Sequence, residues 1–327
     1  MSDTIRWGVV GTMDEPAPLI LAWAAHHLAL GAAEAHVFLD RPNPQAQAGL
    51  AAMPGAFVTV TDAAYWANSA RGRVPPRHTA RQKHNATQVY ATRRLDWLLH
   101  CDADEYLQPT GDFLAELAAT DARTLRVPVM ERVRRGTART IFDGTFRGAL
   151  RDAARVAAIY GDWAPFLAEG MAGHCAGKEI VRGGEAFAMG IHSPVDLATK
   201  RPHRDGYRAL RRAVLLHFDG LTPLHILTKL LKRATEPVFK PPRKYGDQRV
   251  AQFTFVRDHA GDRAALQRML DHVFGLSDAQ ARALGDTHLD LDFLPGIGAD
   301  IDISADRFDD ELRQREAELI RATGLRY

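Results

Sequence analysis

The chain has 327 residues, with 42 Lys and Arg against 40 Asp and Glu and a formal net charge of +2, which argues against a dominant nucleic-acid interaction. Hydrophobic residues make up 46% and charged residues 25%, an ordinary globular composition long enough to bury a sizeable core. There is no signal-peptide pattern, no apolar run approaching the roughly 18–20 residues that span a bilayer, and only two cysteines, Cys101 and Cys175. Read as free thiols, these predict a reducing, cytoplasmic setting with any membrane contact peripheral.

Residues 5–11 read as a first strand closed by Gly11. Thr12 to Pro16 then read as a helix start, with Asp14 or Glu15 near the N-cap and Pro16 in the first turn. Leu19, Ile20, Trp23, His27 and Leu30 follow at helical spacing, and Gly31 supplies the stop. Residues 36–40 form a second strand ended by Arg41-Pro42-Asn43-Pro44, which completes a strand–helix–strand unit with a right-handed crossover. A third strand is expected over 57–60. A helix over 78–94 should carry Arg81, Gln82, Asn85 and Gln88 on a polar surface. Alternation of helix and strand to about residue 120 predicts an α/β nucleotide-binding layer.

Beyond that the pattern changes. Residues 124–129, 178–182, 187–192 and 213–218 read as strands, and 132–172 is Arg- and Gly-rich and irregular. Helices are expected over 223–233, 247–259, 263–274, 277–284 and 306–323. The simplest organisation is one catalytic domain, 1–222, with a helical C-terminal extension, 223–327, packed on it. Residues 200–249 hold thirteen Lys/Arg against four Asp/Glu, and 286–311 hold eight Asp and one Glu against one Arg. Solvated faces account for both in the ordinary way. The basic segment could instead face a diphosphate, an acidic glycan or a membrane surface, and its few interleaved aromatics disfavour a nucleic-acid groove.

The densest chemistry lies in 96–106, where the apolar run through Trp97, Leu98, Leu99 and Cys101 meets Asp102, Asp104 and Glu105. The run reads as a buried strand ending at a turn. Side chains alternate along an extended chain, so Asp102 and Asp104 are expected to point the same way. Two carboxylates aimed together repel unless a cation lies between them, and oxygen-only ligands favour Mg²⁺ or Mn²⁺. In an open α/β sheet, the crevice beyond the strand ends is also where ligands bind. A solvated acidic turn is the plain alternative.

Glu15, then Leu21-Ala22-Trp23-Ala24-Ala25-His26-His27-Leu28-Ala29-Leu30-Gly31, then Val37-Phe38-Leu39-Asp40, and finally Trp97 through Leu107, together resemble a branch of the family 2 glycosyltransferases. That branch carries a Glu-Trp-x-x-x-His-x-x-x-Gly helix and a Trp…Asp-x-Asp-Glu-Phe segment. The resemblance covers roughly 5–220 and is strongest over 19–40 and 96–107. Two features depart from it: Asp14 stands where the family has Asn, and the turn after Asp40 lacks a second Asp. The resemblance implies a GT-A-like fold, a Rossmann-like mixed sheet flanked by helices. It also implies inverting transfer from a nucleotide-diphosphate sugar, a UDP-sugar favoured, to a glycan, lipid-linked or protein acceptor, assisted by Mn²⁺ or Mg²⁺. On this reading Glu15, Asp40, Gln82, Asn85 and Asp102 face the donor, with Asp40 on the nucleobase. Asp102 and Asp104 are metal ligands, and Glu105 fixes the turn.

A third ligand is expected from a later strand end: His217, which closes the run 213–217, with His192 in reserve. Lys178 follows the Gly-rich run 173–177 and could reach a donor phosphate. The general base that an inverting enzyme needs is sought among Asp143, Asp162 and Glu169, with Glu169 preferred because it precedes that run. Two competing readings are a phosphatase of the haloacid-dehalogenase type, which also places Asp-x-Asp after a buried strand, and a non-catalytic sugar-nucleotide or glycan-binding module.

Overall fold

The computed structural model describes residues 5–136, 138–203, 208–235, 246–296 and 301–327. Two compact units emerge, one formed by Met1–Val129, Ala176–Leu215 and Pro295–Ile301, the other by Met130–Cys175, Leu216–Leu294 and Asp302–Tyr327. The boundary expected at 222 falls inside the second unit, which gathers 130–175 together with the C-terminal helices.

The first unit opens with β1 (Trp7–Met13), α1 (Ala17–Ala29), β2 (Glu34–Leu39), α2 (Pro44–Ala51), β3 (Ala56–Val60), α3 (Ala63–Asn68) and α4 (His78–Thr92). It continues with β4 (Trp97–His100), β5 (Glu105–Pro109), α5 (Phe113–Ala119) and β6 (Thr124–Val127). Its main sheet runs β3, β2, β1, β4, the strand Lys178–Arg182, then β6. β1 to β4 are parallel, whereas Lys178–Arg182 is antiparallel to both β4 and β6. This is the α/β layer that the alternating pattern called for, with the mixed strand directions that the resemblance implied. Every residue of β1 is buried, as in a parallel strand covered on both faces. α4 turns Gln82, Asn85, Ala86 and Val89 inward at a spacing of three and four residues. Ala86 and Val89 join Val10, Phe38, Leu98 and Val181 in a single apolar cluster.

Several boundaries differ from those expected, each for a local reason. α1 starts after Pro16, whose fixed φ suits a helix start, with Asp14 and Glu15 immediately before that N-cap and β1 running on to Met13. α2 and α3, capped by Asn43 and Asp62, are too short to show a helical period. Pro128, lacking an N–H, divides the expected strand over 124–129 into β6 and a separate strand, Val129–Val133. Of the strand expected over 187–192, only Phe187–Ala188 forms.

In the second unit the Val129–Val133 strand pairs antiparallel with Thr145–Arg147, setting Glu131 opposite Arg147, and His288–Leu289 extends the pairing. The segment expected to be irregular thus holds a strand, the helix Ala153–Tyr160 and a 3₁₀ turn, Gly161–Phe166. Helices Pro223–Thr235, Asp247–Asp258, Arg263–Val273 and Asp278–Leu284 lie close to their expected positions. The expected helix over 306–323 is interrupted at Glu316 into Ala305–Arg315 and Ala317–Thr323. Among the described residues no helix is long and apolar enough to cross a membrane. Lys240, Arg243 and Lys244 of the basic segment lie outside the described residues.

Candidate active site

From β1 the sheet is built outward through β2 and β3, and the chain then returns to add β4 on the opposite side of β1. Successive crossovers part there, so the carboxyl ends of β1 and β4 form the switch point at which open α/β sheets place their ligand crevice. Three acidic corners ring those ends: Asp14 after β1, Asp40 after β2 and Asp102 after β4. Each is met by a cation.

Arg41 donates to Asp14. Arg81 grips Asp40 with two parallel bonds, Nε to Oδ1 at 2.7 Å and Nη2 to Oδ2 at 2.6 Å, while His78 Nδ1 lies 3.2 Å from Oδ2. Burial alone would raise the Asp40 carboxyl. His78 and Arg81 outweigh it and hold the group well below the usual carboxylate range.

At Asp102 the chain reverses. β4 ends at His100, the Glu105 N–H donates to the Asp102 carbonyl at 3.1 Å, and the Asp102 N–H donates to Glu105 Oε2 at 2.8 Å. Asp102 and Asp104 are therefore not alternate residues of one extended strand, as expected from the sequence, because the chain turns at Ala103–Asp104. Asp102 keeps 33% of its side chain exposed, whereas Asp104 is buried. Glu105 takes the turn-fixing place expected of it.

Lys178, expected to extend toward a phosphate, is wholly buried, and its ammonium lies 2.9 Å from Asp102 Oδ2 and 3.2 Å from Glu105 Oε2. Gln82 donates to the other oxygen of Asp102. Burial opposes ionisation of Asp102, but Lys178 prevails and holds its carboxyl well below the ordinary range. Burial likewise disfavours the Lys178 ammonium, yet Asp102 and Glu105 raise its pKa above the usual lysine value. His100 Nδ1 donates to the Gly190 carbonyl at 2.7 Å, and burial, reinforced by Lys178, pushes the ring toward neutrality. Its Nε2 is buried without a hydrogen-bond partner among the described residues.

Gln82 and Asn85 do not sit on a polar surface but on the buried face of α4. Asn85 donates to Thr12 Oγ1 at 2.9 Å and accepts from the Tyr65 hydroxyl at 2.6 Å, so it ties β1, α3 and α4 together. The Glu15 carbonyl accepts from Asn43 at 3.3 Å. His192 Nδ1 lies 2.9 Å from the Gly177 carbonyl.

The remaining expected residues lie in the second unit. His217 is buried, with its ring stacked 5.3 Å from that of His174. Glu169 has an exposed side chain 3.9 Å from Arg151 and a backbone φ of 49°, an uncommon conformation for a residue with a side chain. Among the described residues no three His, Cys, Asp or Glu side chains gather as a metal site.

The sequence reading passed over His78, Arg41, Thr12 and Tyr65. One signal could have pointed to the stretch that holds His78. Residues 63–95 carry seven Lys/Arg and no Asp or Glu, so cations there must find partners elsewhere in the fold.

No protein-family model matches the chain, and no curated protein matches it. Eleven chains of solved structures match, among them the crystal structure of Staphylococcus aureus TarS, residues 1–349. That match covers 99% of this chain and 93% of the other at 12% identity with a TM-score of 0.33.

Proposed function

We propose that the crevice binds a nucleotide-diphosphate sugar, a uridine nucleotide favoured, and that the protein is a metal-assisted glycosyltransferase of the GT-A type. The sugar passes with inversion to a glycan, lipid-linked or protein acceptor. The observation that carries this reading is the Asp102 corner. An ionised carboxylate, oriented from both sides by Gln82 and Lys178 and still one-third exposed, stands at the switch point between β1 and β4. Such a group is a pre-set acceptor for the hydroxyls of a sugar nucleotide, held without reorganisation when the ligand arrives.

The acidic residues of the turn, Asp102 and Asp104, are oxygen donors of the kind a hard divalent ion takes. Both side chains are carboxylates, and an ion such as Mg²⁺ is commonly bound through one or two carboxylates together with substrate phosphates and water. Asp104, with Asp102 beside it, would hold Mg²⁺ or Mn²⁺ that enters with the donor. Such an ion stabilises the charge that collects on a departing diphosphate.

The test is a thermal-shift screen of nucleoside diphosphates with and without Mn²⁺, on the wild type and Asp104→Ala. A ligand at a hundredfold its Kd adds about 2.7 kcal/mol. The expected result is stabilisation by one nucleotide that needs metal and disappears in Asp104→Ala. If no nucleotide shifts the wild type under any metal condition, the donor site is not here.

A further inference from the structure

The proposed donor site holds a cation of its own. Lys178 has a side chain only 1% exposed, and its ammonium lies 2.9 Å from Asp102 and 3.2 Å from Glu105. A buried ammonium is costly to keep in an apolar interior and is retained only where carboxylates compensate it. The local backbone is built to bring it there. Gly177 adopts φ +64°, and a Cβ on it would come within 2.3 Å of the Val127 carbonyl oxygen, so the chain passes close against β6 immediately before Lys178. The strand Lys178–Arg182 is then fixed between β4 and β6.

We propose that Lys178 is a positioning residue serving as the resident counter-ion of the acidic turn. Without it, Asp102 and Glu105 would form the closely spaced carboxylate pair that normally demands a metal. With it, the turn is charge-compensated in the nucleotide-free protein, and Asp102 is locked in one orientation. A divalent ion approaching Asp102 meets the ammonium at close range, a like-charge repulsion that a nearby diphosphate would offset. Divalent metal should therefore bind only together with the nucleotide, a division of labour between chain and substrate. This rests on the reading of the crevice as a donor site, but its test is made without nucleotide.

The measurement is Mn²⁺ uptake by electron paramagnetic resonance, paired with the thermal midpoint, for metal-stripped wild type, Lys178→Arg, Lys178→Met and Lys178→Met/Glu105→Gln. Wild type and Lys178→Arg should leave the free Mn²⁺ signal unchanged. Lys178→Met should melt roughly 5–10 °C lower, take up stoichiometric Mn²⁺ and regain much of its midpoint with the metal. Lys178→Met/Glu105→Gln, with one carboxylate fewer, should lose most of that uptake. Stoichiometric Mn²⁺ binding by nucleotide-free wild type that Asp102→Asn abolishes would overturn the proposal. So would a Lys178→Met protein with wild-type midpoint and no uptake. If Lys178→Met does not fold, Lys178→Gln, which keeps a polar group beside Asp102 without the charge, should take up the Mn²⁺ instead, and a folded Lys178→Gln that takes up none would overturn the proposal. A nucleotide screen that fails while these results hold would reject the donor reading and leave the counter-ion intact.

Discussion

Replacing Arg81 with methionine removes the two-point grip on Asp40 while keeping most of the side-chain volume. Asp40 is 7% exposed and Arg81 17%, so the pair is largely dehydrated but not sealed. Breaking a fully buried pair by deleting one partner costs on the order of 3–5 kcal/mol, because the remaining charge is left uncompensated. Here His78 stays 3.2 Å away and some water reaches Arg81, so a cost of about 2–3 kcal/mol is expected. Asp40→Asn in the Arg81→Met background should recover part of that loss, since no buried charge then remains. Urea unfolding of the four proteins forms a double-mutant cycle with an expected coupling of at least about 1 kcal/mol. The sign with pH follows from the depressed carboxyl of Asp40. A group whose folded pKa is lowered stabilises the fold fully above its unfolded value, near 4, and that stability is lost as the pH falls through the folded value. The gap between wild type and Arg81→Met should accordingly be wide at neutral pH and narrower toward pH ~3. A gap below about 0.5 kcal/mol at neutral pH, or one that fails to narrow in acid, would refute this account of the corner.

Other expectations follow from the same geometry. In the second unit Arg147 and Glu131 form a sealed pair at 2.7 Å, and Glu131 also accepts from the N–H groups of Ala172 and Gly173. Glu131→Ala should cost about 3–5 kcal/mol in urea unfolding, and a cost under about 1 kcal/mol would contradict the burial. Gly177→Ala should lower the thermal midpoint by several degrees at least, through both its positive φ and the approach to Val127; an unchanged midpoint would mean that the backbone there relaxes freely. Gln82→Ala should weaken nucleotide-induced stabilisation more than it lowers the midpoint of the free protein, because Gln82 orients Asp102. Equal loss in both would assign it a packing role only.

The parallel core was legible because β1, β2 and β4 are short apolar runs, and such runs carry the imprint of burial on both faces. The reversal after His100 was not. The apolar pattern continues through Cys101, and nothing local tells that Asp102 will bond to Glu105. Gln82 and Asn85 were hidden for a related reason: on α4 they occupy core-facing positions, where polarity does not mean exposure because both are satisfied by distant partners. Lys178 lies 76 residues from Asp102 and Arg81 lies 41 from Asp40, separations at which a sequence offers charges but not pairings. Pro128 and the cap that Asn43 gives the Ala46 N–H, whose effects are confined to neighbouring residues, could have been read locally.

The place of Lys178–Arg182 in the main sheet also bears on how the protein comes to be made. β4 and β6 leave the ribosome well before this strand, yet it alone joins them and carries the lysine that the turn after β4 requires. Until it inserts, a nascent chain presents two unpaired strand edges and an uncompensated acidic corner, the sort of intermediate that invites strand-to-strand association. Closure of the sheet and assembly of the Asp102 corner therefore coincide in one late event. A folding probe at Asp102 and one at the β4 edge should report the same slow phase.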